Sequence, residues 1–95
     1  MPEVMFDYQT ESRRVKEALR TVFPQDTIAT DEGYNGRVHV KVVSERFNHR
    51  SEREKQDLIS EILRDTLGAD AQAVSLAIAY GTDELEAAKA YLRRI

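Results

Sequence analysis

The sequence predicts an α+β domain with the element order α-β-β-α-β-α and a three-stranded mixed sheet with helices packed on it. Three observations carry the prediction. Apolar residues recur with a helical period in three separate stretches, and with a period of two in the segments between them. An Asn35-Gly36 dipeptide separates two of the alternating segments, a pairing that favours a tight turn because both residues tolerate positive φ. Ser51-x-x-Glu54 stands before the longest apolar stripe, where a capping box would open a helix.

From Thr10, the residues Val15, Ala18, Leu19 and Val22 fall on one helical face, and Pro24 ends the helix because the residue before a proline is driven out of the helical region. Residues 1–9 read as a flexible lead-in and residues 10–95 as a single domain. Residues 27–30 form a short β-branched strand, and residues 31–36 connect it to the next. Val38, Val40 and Val42 alternate with His39 and Lys41, which gives that strand one buried and one polar face and makes the pair a hairpin. Leu58, Ile59, Ile62, Leu63 and Leu67 form the stripe of the second helix, Gly68 stops it, and residues 68–70 allow a further short helical turn. Val74, Leu76, Ile78 and Tyr80 alternate with Ser75, Ala77 and Ala79. This predicts a third strand whose small-residue face is partly covered as well, by a helix. Asp83-x-x-Glu86 resembles a second capping box, followed by Leu85, Ala88, Leu92 and Ile95 on the stripe of a last helix.

Ninety-five residues suffice for one core. The net charge of −3 argues against a strongly basic nucleic-acid domain, although Arg46, Arg50, Arg53 and Lys55 gather in one segment, with Glu45, Glu52 and Glu54 interleaved. The absence of cysteine removes disulfides, thiolate metal sites and cysteine nucleophiles. The acidic N-terminus lacks the pattern of a signal peptide, and Leu76-Ala77-Ile78-Ala79-Tyr80 is far shorter than the roughly 20 residues of a membrane span, so a soluble, cytoplasmic protein is expected. No nucleophile, base and orienting group stand together by spacing, and no enzyme is expected. Gly33-Tyr34-Asn35-Gly36 matches the G-x-x-G of nucleotide-clamping loops, but it lies between strands and not between helices. Tyr8, Tyr34 and Tyr91 are scattered and make no stacking row.

The stretch from Val42-Val43-Ser44 through Phe47 to Ser51 and Leu58-Ile59, with Asp31-Glu32-Gly33 before it and Thr82-Asp83-Glu84-Leu85 after, resembles the BolA family. The likeness runs over about residues 12–85. It implies a fold related to KH domains of the second type and a partnership with a monothiol glutaredoxin in iron–sulfur or redox regulation. Three positions depart from the family pattern. His49 replaces a glycine two residues after the phenylalanine, Lys55-Gln56 replaces an Arg-His pair, and Gln72 replaces the histidine that resembles a ligand of the shared cluster. A glutamine amide is a poor iron ligand, so no cofactor is expected.

The expectation is a non-catalytic binding protein whose partner surface is built from His49, Arg50, Arg53, Lys55 and Gln56, with Gln72 beside them and Phe47 shaping the rim. An alternative is a nucleic-acid-binding regulator using the same basic segment. A third is a new metal site through His39 and His49.

Overall fold

The computed structural model describes residues 5–93, with side chains as far as residue 87. Residues 1–4 of the expected lead-in, and the side chains of Ala88, Tyr91, Leu92 and Ile95, lie outside the described residues. Helix α1 spans Tyr8–Val22, strands β1 and β2 span Thr27–Glu32 and Val38–Val43, helix α2 spans Glu52–Leu67, strand β3 spans Val74–Tyr80 and helix α3 spans Thr82–Arg93. The order is the α-β-β-α-β-α that the sequence predicts, with 3-10 turns at Tyr34–Gly36, Glu45–Phe47 and Gly68–Ala73.

The sheet runs β1-β2-β3, with β1 antiparallel and β2 parallel to its neighbour β3. Between β1 and β2 the turn forms with Asn35 at φ 57° and Gly36 at φ 75°. A side chain at Gly36 would strike the Phe6 carbonyl, so only glycine lets the N-terminal segment pass here. The Phe6 N–H donates to the Asn35 carbonyl at 2.8 Å, and the Arg37 guanidinium lies 5.3 Å from the Phe6 ring centre. Helix α1 begins at Tyr8, two residues before the start that the periodicity gives, and the Tyr8 hydroxyl lies 3.1 Å from that of Thr30 on β1.

Helices α1 and α2 cover one face of the sheet. Val15 and Leu19 of α1 and Ile59, Ile62 and Leu63 of α2 meet Val38, Val40 and Val42 of the central strand, and Phe23 and Phe47 close one end of this core. Burying each of these side chains stabilises the fold by about 1.5–3 kcal/mol.

The faces of β3 correct a reading of its alternation. Ala79 is buried and Ala77 half-buried beneath the helices, as expected for a covered small-residue face. The large residues turn the other way: Leu76 is 45% exposed and Tyr80 38%. A bulge is the reason. Val38 pairs with Val74, but His39 pairs with Leu76, so Ser75 is an extra residue that separates Val74 from the face of Leu76, Ile78 and Tyr80. The open face therefore carries Leu76, Ile78 and Tyr80 beside His39, Lys41 and Val43. No helix among the described residues is long and apolar enough to cross a membrane.

Candidate functional site

Residues 44–51 leave β2 through a turn fixed from several sides. The buried Ser44 donates its N–H to the Tyr80 carbonyl at 3.0 Å, and its hydroxyl accepts from the Arg46 N–H at 3.2 Å. Phe47 drops into the core, its ring centre 5.8 Å from that of Phe23. Arg46 lies over the outer side of the same aromatic pair, 5.2 Å from the Phe23 ring centre.

Asn48 and His49 then tie the turn to the start of α3. The Asn48 amide donates to the Thr82 hydroxyl at 2.9 Å, and its oxygen accepts from the Asp83 N–H at 3.1 Å. Gly81 permits this approach, since a side chain there would meet both Asn48 and Asp83. His49 adopts φ 61°, an uncommon conformation for any residue but glycine. Its N–H donates to Asp83 Oδ2 at 3.1 Å, its Nδ1 lies 3.5 Å from the same oxygen, and its side chain is 88% exposed.

The α2 capping box is present in full. Ser51 Oγ accepts from the Glu54 N–H at 3.1 Å, and Glu54 Oε1 accepts from the Ser51 N–H at 3.0 Å. The Ser51 N–H, and secondarily its hydroxyl, hold the Glu54 carboxyl below its ordinary range. Arg50 folds back to donate to the Arg46 carbonyl at 2.8 Å, and Arg53 stands exposed on the first turn of the helix.

Lys55 occupies a different environment from the one its charge suggests. It is 2% exposed, and Nζ lies 2.6 Å from Glu52 Oε1 and 2.7 Å from Glu84 Oε1. Bonding to Glu52, and then to Glu84, raises its pKa against the opposing effect of burial. Glu84 Oε1 also accepts from the Gly81 N–H at 2.9 Å, and that bond, with Lys55 second, holds its carboxyl low. Glu84 thus reaches back over the start of α3, whose first residue, Thr82, precedes the Asp83 of the expected box. Lys55 is a bolt between two helices and offers its ammonium to no incoming group, which corrects its expected place on a partner surface. One sequence signal marked it: Lys55, Ile59 and Ile62 fall on one helical face.

Gln56 reaches the sheet edge, where Nε2 donates to the Ala77 carbonyl at 3.0 Å. Gln72 is exposed in the 3-10 turn beyond the other end of α2. A helix of 16 residues is about 24 Å long, so Gln72 does not sit beside His49 and Arg50. It lies instead at the end of the sheet where Val74 begins β3 and faces Val38. The two histidines are separated in the same way. His39 pairs with Asp31 and Leu76 near that end, whereas His49 follows the opposite end of β2. They cannot share a metal ion, and among the described residues no three His, Cys, Asp or Glu side chains converge.

The structure thus brings together His49, Arg50 and Arg53 on the surface, with Lys55 beneath them. The supports that sequence reasoning missed are Asn48, Asp83 and Glu84, which act across 29 to 34 residues of chain. No protein-family model, curated protein or solved structure matches this chain.

Proposed function

We propose that this chain is a non-catalytic, BolA-like binding protein that docks on a partner protein through residues 49–53, with a monothiol glutaredoxin as the partner that the resemblance implies. His49 carries the reading. It is held at φ 61° by Asp83 while its ring remains in solvent, so an uncommon backbone conformation is maintained at an exposed residue. Strain of this kind collects at binding and catalytic sites. The same φ supports the resemblance, because the family carries glycine at this position and glycine adopts it freely. Arg50 and Arg53 supply the positive charge for an acidic partner surface. Gln56 borders the patch and Lys55 fixes it from within, while Gln72 takes no part. In this reading the chain regulates iron–sulfur or redox chemistry by occupying its partner and supplies no cluster ligand of its own.

The test is anaerobic co-expression with a monothiol glutaredoxin, followed by size exclusion and visible absorbance. A colourless complex that is lost in an Arg50→Glu, Arg53→Glu double variant is expected. A coloured complex would overturn the ligand-free part of the reading. Separate elution of the two proteins would overturn the partnership. Binding of a short oligonucleotide that weakens steeply with salt would then assign Arg46, Arg50 and Arg53 to phosphate contacts.

A further inference from the structure

Strand β3 lies at an edge of the sheet, and a groove of about 320 Å³ runs between this edge and α2. Its floor is Val74, Ser75, Leu76 and Ala77, and its wall is Gln56, Ser60, Leu63 and Arg64. We infer that this groove takes an extended peptide of a partner protein, laid beside β3 as a fourth strand with an acidic side chain on Arg64. The inference rests on the chain being a binding protein, but it uses a different surface from residues 49–53.

Main-chain directions carry the first part of the argument. In a parallel pair, the N–H and C=O of successive residues turn alternately toward the neighbour and away from it. The Tyr80 carbonyl accepts from Ser44 on the β2 side, which sets Ile78 toward β2 as well and turns Ala77 and Ala79 outward. The Ala77 carbonyl confirms the phase, since Gln56 reaches it from α2. An outward-facing strand edge is a template for another strand. The glutamine cap occupies one acceptor on that edge, and its flexible side chain can swing aside and bond the incoming backbone instead.

Side-chain chemistry selects the occupant. Ser75 and Ala77 are small and the Leu76 side chain turns to the open face, so a backbone can approach the strand edge closely, and the groove size lies at the lower end of those that hold small ligands. Among the described residues Arg64 is the sole charged one of the lining; Asp57 and Glu61 of the same helix lie outside it. A single cation with five N–H donors suits one carboxylate. A nucleic-acid strand would require several cations along its phosphates. A second copy pairing through its own β3 would bring no anion, because residues 74–80 contain no acidic side chain.

The experiment is a selection of displayed random peptides, each of about eight residues as suits strand addition, on the full chain. Amidated synthetic versions of the recovered sequences are then bound to isotope-labelled protein. Recovered peptides should carry Asp or Glu at one fixed place among β-branched residues and show cross-strand contacts to the Ala77 and Ala79 amides. Arg64→Gln should weaken them about tenfold, as loss of a paired charge does. Arg64→Glu should prefer the same peptides with lysine in place of the acid. The Arg50→Glu, Arg53→Glu variant should bind them normally, which separates this site from the glutaredoxin surface. Failure of any peptide to enrich would overturn the inference. So would peptides that map to His49 or to the open sheet face, affinity indifferent to Arg64, oligouridylate competing for the groove, or self-association through β3.

Discussion

At the scale of single residues, His49 and Lys55 exchange the roles that their sequence neighbours suggest. An exposed loop histidine proves to be a backbone device, and a lysine in a basic segment proves to be an interior strut. Residue type alone does not disclose a φ angle, so the only cue to the first was the glycine that the resembled pattern has at this position, whereas the second was written in the helical spacing of Lys55 with Ile59. His49→Gly should keep or raise stability by up to about 1 kcal/mol, because released strain offsets the added freedom of the unfolded chain. A β-branched His49→Val should lose about 2 kcal/mol in the same urea titration. Glu84 gives a pH dependence with a definite sign. Its carboxyl is held below its ordinary 4.5, so its contribution is fully present above pH 4.5 and disappears as pH falls through the lower folded-state value. Lys55, raised above 10.5, contributes below that pH and loses its contribution as pH rises through the higher folded-state value. Glu84→Gln should flatten the acid limb of stability against pH, and Lys55→Met the alkaline limb, when melting is followed by circular dichroism.

At the scale of elements, local chemistry was legible wherever a residue acts on its own neighbourhood. Ser51 and Glu54 close their box, Asn35 and Gly36 turn the hairpin, and Gly68 ends α2 at φ 57°. Ser51→Ala should destabilise by about 1 kcal/mol, read from chemical denaturation with the slope unchanged. Strand β3 shows the limit of such reasoning. Its alternation identified the strand, but a single unpaired residue at Ser75 decides which side of the sheet each side chain faces, and nothing in the residue types announces a bulge. The consequence is measurable. Ala79→Leu, aimed into the packed interface with the helices, should cost about 1–3 kcal/mol, whereas Leu76→Thr on the open face should cost less than about 1 kcal/mol.

At the scale of the whole molecule, two tethers set the architecture. The sheet forms one side of the core, while α1 and α2 together form the other. The start of α3 is fastened to the β2–α2 turn through Asn48 and His49, and to α2 itself through Lys55. The sequence announced the class of fold, but it did not show that α2 separates Gln72 from His49, because adjacency to a common element says nothing about which end of it a residue occupies. The parallel pairing of β2 with β3 also sets an order of assembly. The hairpin closes over a short turn, whereas β3 reaches β2 only after residues 44–73 have been laid down and folded back. Until then, the far side of the strand bearing Val38, Val40 and Val42 has unsatisfied backbone groups beside apolar side chains, the combination that lets one nascent chain capture another. Substitutions that delay the arrival of β3 will therefore lower the yield of refolding at high protein concentration before they lower the melting temperature.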